Sequence, residues 1–199
     1  MAAVDDESGP AGPVKRMKRA ERREQILAAA TRAFARAGFA STGLDDVAAE
    51  AGITRVLLYR HFESKADMYR ATLDRACGRV AGAVGTDDFD GTSIPALIRA
   101  ADADSDAFLL LFSHAAREPE FRDLVDSLTE ASAAIARRNL ARLIPEGPWL
   151  DWAAHVIPAF TIEAVTGWLD AGRPDDPQEA AKRISLAVDG IVQAARFAP

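Results

Sequence analysis

The chain has 199 residues, 49% of them hydrophobic, a net charge of −6 and one cysteine. That apolar content excludes a disordered polypeptide and supports a sizeable core, in one large domain or two small ones. A lone cysteine, Cys77, excludes an intrachain disulfide and any Cys-rich zinc site; it fits a reducing cytoplasm, where a small buried apolar residue is its plainest role.

No apolar run approaches the roughly 18–20 residues of a membrane span. The start, MAAVDDESGPAGP, is acidic and lacks the apolar segment of a targeting peptide. A soluble, cytoplasmic protein without a membrane partner is expected. Charge is distributed unevenly: residues 1–70 hold 12 Lys and Arg against 10 Asp and Glu, residues 71–199 hold 12 against 20, and the window 15–36 holds 8 against 2. Such polarity brings one end of a molecule towards phosphate and turns the other away.

Residues 1–14 have the composition of a disordered tail. The basic run Lys15, Arg16, Lys18, Arg19, Arg22, Arg23 leads into a helix predicted over 19–37, with Ile26, Leu27, Ala30, Ala33, Phe34 and Ala37 at helical spacing and Gly38 as its stop. A second helix is predicted over 44–51. Two capping frames compete at its start, Thr42 with Asp45 and Gly43 with Asp46. Gly52 permits a sharp turn, Ile53 drops into the core, and Thr54 caps a third helix on which Leu58 and Phe62 share a face while Arg55 and Tyr59 point elsewhere. Two short helices hinged by glycine can present the second of them to the major groove of DNA. The basic run upstream then reads as a phosphate-contacting arm rather than a merely solvated face.

Ser64 with Asp67 opens a fourth helix to about residue 84, and later helices are predicted at about 93–102, 105–117, 119–143, 149–171 and 178–197. No strand pattern interrupts them, so the predicted class is all-α. Pro158 is expected to kink or break the helix over 149–171. In the same helix Trp149, Trp152, Val156 and Phe160 form one stripe, while Ile162, Val165, Thr166 and Leu169 face differently; in the last helix Ala187, Gly190, Ile191 and Ala194 offer a small-residue surface. Two apolar faces need a partner beyond the subunit's own core, which predicts a two-fold homodimer through these two helices.

The run FARAGFASTGLDDVAAEAGITRVLLYRHFESK, residues 34–65, resembles the DNA-binding domain of the TetR family of bacterial repressors, and the string AGITRxxLYRHFxSK within it is the specific part. The resemblance implies a three-helix DNA-binding domain, placed here at 15–64, and a helical ligand-binding and dimerisation domain at 65–199. It also implies a palindromic double-stranded operator and a small-molecule effector, with no cofactor, no metal and no catalysis. Carried over by position, Thr42 is expected to contact phosphate through its hydroxyl, Thr54 and Arg55 to begin the recognition helix with Arg55 as base reader, and Tyr59, His61 and Lys65 to touch phosphate, joined by Lys18 and Arg19 of the arm. Gly43 departs from a frequent Ser or Thr. Val56 and Leu57 stand where Gly and a small polar residue are common, and are expected either to meet thymine methyl groups, the reading preferred here, or to set the recognition helix slightly farther from the base edges.

The expected effector pocket is lined by Phe108, Leu111, Phe112, Phe121, Trp149, Trp152, Val156 and Phe160, with Glu163 on the extension of the same stripe; such walls suit an apolar or aromatic molecule. The rival class is a helical ligand-responsive protein that acts through a protein partner without binding DNA.

Overall fold

The computed structural model describes residues 18–85 and 88–197. The expected tail 1–14, and Lys15 and Arg16 of the basic run, lie outside the described residues. Among those described there is no strand, and no helix is long and apolar enough to cross a membrane.

Helix α1 (Arg19–Ser41) consists of two helical pieces: Gly38, non-helical at φ 74° and ψ 174°, ends the first where a stop is expected, and a short helical turn follows to Ser41. Helix α2 (Leu44–Ala51) uses the Gly43 frame: the Gly43 N–H donates to Asp46 Oδ2 at 2.7 Å. Gly52, left-handed at φ 64° and ψ 36°, turns the chain into α3 (Arg55–Tyr59), whose first turn is capped by Thr54 Oγ1 accepting from the Leu57 N–H at 3.3 Å. Ser64 Oγ likewise accepts from the Asp67 N–H at 3.0 Å and opens α4 (Lys65–Val84).

Beyond α5 (Ser93–Ala103), the helix expected over 105–117 changes its winding twice. It starts as α6 (Ser105–Leu109), widens into a π turn at Leu110–His114 and tightens into a 3₁₀ turn at Ala115–Arg117. A second 3₁₀ turn, Pro119–Phe121, precedes α7 (Arg122–Leu140). Helix α8 (Pro148–Asp170) runs through Pro158 unbroken, and α9 (Pro177–Arg196) closes the fold.

Three buried clusters hold these helices. The first joins Ile26, Phe34, Val47, Leu58 and Phe62 of the N-terminal segment to Tyr69 and Leu73 of α4 and to Leu110, Leu111 and Phe121. Packing is therefore continuous across residue 64, where the domain boundary is expected. The second cluster joins α5, α6, α8 and α9 through residues such as Ile98, Phe108, Val165 and Ile184; the third joins α7, α8 and α9 through Leu140, Leu150, Ala153 and Ala195.

The two hinge glycines differ in kind. Gly38 occupies a region of φ/ψ space that is essentially restricted to glycine, whereas Gly52 is in the left-handed helical well that other residues enter at a smaller cost. Added Cβ atoms meet nothing closer than 3.9 Å at Gly38 and nothing within 4 Å at Gly52, so backbone strain alone decides. Gly38→Ala is expected to destabilise the fold by about 2–3 kcal/mol and Gly52→Ala by about 1–2 kcal/mol, in urea denaturation monitored by circular dichroism.

Candidate nucleic-acid interface and internal cavity

The N-terminal helices are braced by charge. Glu50 of α2 accepts from Arg32 Nε at 2.7 Å and Arg36 Nη2 at 2.6 Å, both on α1, and these bonds hold its carboxyl below its ordinary pKa. Gln25 Nε2 donates to the Ala51 carbonyl at 2.9 Å. With Leu58 and Phe62 buried beneath, the outer side of α3 is left to solvent: Val56 is 68% exposed, Tyr59 is also exposed, and Leu57 is partly covered.

Arg55 does not hang free. Its Nη1 donates to Asp45 Oδ2 at 3.0 Å, its Nη2 to the Tyr59 hydroxyl at 3.2 Å, and its guanidinium lies 5.6 Å from the Tyr59 ring centroid. His61 is half-buried beside α1. Burial first, then the charges of Arg19, Arg23 and Arg22, push its pKa below the ordinary histidine value. Lys18 and Arg19 are exposed at the start of α1, and Arg23 lies over the Phe62 ring at 4.9 Å. The structure thus brings Arg19, Arg22, Arg23 and His61 together at one end of α1 and keeps Arg55 and Val56 on the open side of α3.

The phosphate contact expected of the Thr42 hydroxyl is corrected. Thr42 is only 2% exposed, and its hydroxyl donates inward to the Gly38 carbonyl at 2.7 Å, with the Ala33 carbonyl at 3.2 Å. It closes the Gly38 kink instead of facing a duplex, because the capping role passed to Gly43 and Asp46. Lys65 Nζ donates to the Phe39 carbonyl at 2.8 Å and sits 4.4 Å from the Phe39 ring centroid, so the ammonium staples α4 to the end of α1. Asp45, read in the sequence only as a capping partner of Thr42, holds Arg55, and Phe39, given no role there, holds Lys65. Only their tertiary placement reveals these roles.

A cavity of about 320 Å³ lies among the later helices. Its walls are Val80, Ala81 and Val84 of α4, Ile94 and Leu97 of α5, Phe112 of the π turn, Leu128, Ser132, Ile135 and Asn139 of α7, and Ile157, Pro158, Thr161 and Ile162 of α8. The lining includes no Lys, Arg or His, and Asp90 is its one acidic residue. Thr161 donates to the Ile157 carbonyl at 2.7 Å and Asn139 to the Phe89 carbonyl at 3.0 Å, so these polar side chains already have partners.

Of the residues expected to line a pocket, Phe112 does. Phe108, Leu111 and Phe121 are packed in the helix clusters, and Phe160 packs against the second of these. Trp149 is 58% and Trp152 40% exposed, their rings T-shaped at 5.5 Å; Glu163 is exposed, and Val156 is partly exposed and away from the cavity. Helix α8 is thus rotated from the expected setting: its inner stripe is Leu150, Ala153, Ala154, Ile157, Thr161, Val165 and Trp168. The same rotation moves expected dimer residues inward. Val165, Thr166 and Leu169 are buried within the subunit and Ile162 lines the cavity, whereas Ala187, Gly190 and Ala194 of α9 are exposed and Ile191 is partly covered.

Fold and exposed recognition helix together define an all-α, helix-turn-helix, DNA-binding regulator of transcription. A family profile described as "Bacterial regulatory proteins, tetR family" matches residues 26–72. Over 209 aligned residues the chain is 30% identical to the "HTH-type transcriptional activator FasR" of Mycolicibacterium smegmatis, covering 94% of this chain and 88% of that one. It is 50% identical over 54 residues to the "HTH-type transcriptional regulator TtgR" of Pseudomonas putida, 27% of this chain and 26% of that one. A TetR-like transcriptional regulator from Rhodococcus sp. RHA1 superposes with a TM-score of 0.70 at 19% identity, over 89% of this chain and 97% of that one. The chain belongs to the TetR family of bacterial transcriptional regulators.

Thr42→Val, which keeps the shape and removes the hydroxyl, takes away the one proton that the Gly38 carbonyl accepts and the Ala33 carbonyl shares. It should lower the unfolding free energy by about 1–3 kcal/mol, measured by urea denaturation, and Thr42→Ser should restore most of the loss.

Proposed function

We propose that the protein acts as a two-fold homodimer on a palindromic operator, and that a neutral, apolar or aromatic molecule in the 320 Å³ cavity weakens its grip and so relieves repression. One observation carries this reading: α4 belongs to both places. At its start Lys65 is bonded to the end of α1, and some 15 residues later, ~22 Å along a helix, Val80, Ala81 and Val84 form a wall of the cavity. A ligand that shifts α4 shifts the reading head, and a change of spacing between two heads spoils a fit that both half-sites require together. The missing basic group in the lining supports a neutral ligand, since an anionic one would lie in an apolar site uncompensated.

Dimerisation through α8 and α9 is supported by large apolar side chains left outside, chiefly Trp149, Trp152 and, 70% exposed, Leu186, beside the small residues Ala187, Gly190 and Ala194. Exposed indole and leucine side chains of that size gain most from a partner that covers them. In this reading Arg55, Val56 and Leu57 face base edges, while Lys18, Arg19, Tyr59 and His61 contact the backbone. A second reading, in which ligand strengthens DNA binding and the protein activates transcription, is favoured by the printed name of the relative aligned over 94% of the chain.

The test is fluorescence anisotropy on duplexes selected from a random library, with sedimentation of the protein alone, then addition of a panel of neutral apolar compounds. Release by a ligand supports repression, and tightening supports the second reading. Ser132→Phe, which places a ring in the cavity, should abolish the response to added ligand in either direction. Monomer at micromolar concentration would sink the dimer, and no response to any compound that binds would sink the coupling.

A pH dependence follows from His61. In the free protein burial and the α1 guanidinium groups hold it neutral at pH 7. A phosphate beside it favours the charged form and raises its pKa in the complex. Binding then takes up a proton, so affinity should rise as pH falls and level off once the pH is below the free protein's own lowered value. His61→Gln should flatten that profile.

A further inference from the structure

Asp45 stands in the first turn of α2, and its carboxylate accepts from Arg55 Nη1 at 3.0 Å. Acidic charge on the side of the molecule that approaches phosphate works against affinity for any duplex. Its contribution therefore has to be something other than attraction, and the geometry around Arg55 supplies it. Arg55 is held from two elements at once: by Asp45 from α2, and by the hydroxyl and ring of Tyr59 one turn further along α3, at 3.2 Å and 5.6 Å. An arginine on so short a helix, otherwise free, would sample many rotamers, and most of them would find some phosphate oxygen. Held as it is, the guanidinium has one orientation. Of its five N–H donors two are used, and three remain, more than the pair needed for O6 and N7 of one guanine.

We propose that Asp45 is a positioning residue that fixes the Arg55 fork for guanine, so that it raises base specificity at one operator position while lowering affinity for DNA in general. The inference rests on the reading of Arg55 as base reader. It differs from a simple brace between α2 and α3: the pair is exposed on both sides, at 51% and 74% of the side chains, and a brace of that kind adds little to stability and nothing to sequence preference.

The experiment uses full-length protein and duplexes selected from a random library, with every position of the preferred duplex then changed in turn. Arg55→Ala locates the guanine: discrimination should fall there by about 5- to 150-fold, the usual worth of a bidentate pair. At that same position Asp45→Asn should lose at least fivefold in discrimination, while binding to an unrelated duplex tightens and the thermal midpoint stays unchanged. Asp45→Glu should restore part of the preference, and Tyr59→Phe should weaken it less than Asp45→Asn does. If Asp45→Asn tightens binding to all duplexes alike and preserves the guanine preference, Asp45 is only a repelling charge and the inference is overturned. If Arg55→Ala changes the preference at no position, Arg55 does not read a base, and the failure lies in the reading beneath.

Discussion

The joint at the head of α4 governs how the rest of the molecule is arranged. Phe34 and Phe39 from α1, Tyr69 from α4 and Phe121 from the 3₁₀ turn stack with centroids 4.6–5.0 Å apart along the chain of contacts Phe34–Tyr69, Phe39–Tyr69, Phe39–Phe121 and Tyr69–Phe121. Lys65 lies over Phe39 on one side and Arg70 over Phe121 on the other. The Tyr69 hydroxyl is buried without a hydrogen-bond partner, and burial together with the Glu118 charge pushes its pKa upward. Leaving such a group unpaired costs about 1–3 kcal/mol, so the joint is held by ring packing against a polar penalty. The joint is pinned as well by charge-assisted bonds, Lys65 Nζ to the Phe39 carbonyl at 2.8 Å and Arg75 Nε to Glu24 at 2.7 Å, as the α1–α2 brace is by those to Glu50. A reading head that moves with α4 is the mechanical arrangement that the proposed ligand response requires.

Electrostatics refines the same division. The excess of positive charge over residues 15–36 overstates what is available to DNA. Arg32 and Arg36 are committed to Glu50, and on α4 Arg75 is committed to Glu24 and Arg70 to Asp123. These pairs tie α1 to α2, α4 to α1 and α4 to α7. Among the described residues, the cations outside these pairs at the reading end include Lys18, Arg60 and the group Arg19, Arg22 and Arg23 beside His61, while Arg55 is paired with Asp45. A narrower positive face means that orientation of individual side chains matters more than bulk attraction. In the proposed reading, specificity then leans on Arg55 and on the spacing of two heads.

The order and extent of the helices were legible because their boundaries are local. Thr54 and Ser64 cap as their sequence neighbours suggest, Gly52 turns as its position demands, and Leu58 and Phe62 go inside. What failed depended on tertiary choice. Two capping frames were available at α2, and the Gly43–Asp46 frame freed Thr42 to close the kink at Gly38, whose near-extended ψ let α1 resume. Lys65 met a ring and a carbonyl that lie 26 residues away, a distance no local pattern spans. The winding changes in Leu110–His114 and Ala115–Arg117 left no mark in the apolar spacing. The cavity's α7 wall did leave one, since Leu128, Ser132, Ile135 and Asn139 recur at helical spacing, but with two polar members the stripe does not stand out as an apolar face.

Helix α8 explains the largest misreading, and its cause is physical. The helix is apolar nearly all the way round, so spacing admits two faces and size seems to favour the tryptophans for the inside. Packing prefers the opposite solution. Ala153 and Ala154 let α8 approach the ends of α7 and α9 closely, with Leu140, Ile144 and Ala195 against them, where indole rings would hold the helices apart. Trp149 and Trp152 are consequently on the outer surface, with much of both indoles in water. In the proposed dimer that surface is what a second copy covers, while the cavity takes the narrower stripe of Ile157, Pro158, Thr161 and Ile162. One helix would thus face a partner on one side and a ligand on the other. Occupancy of the cavity then bears directly on the interface as well as on α4, so the two reading heads are coupled through both ends of the same wall.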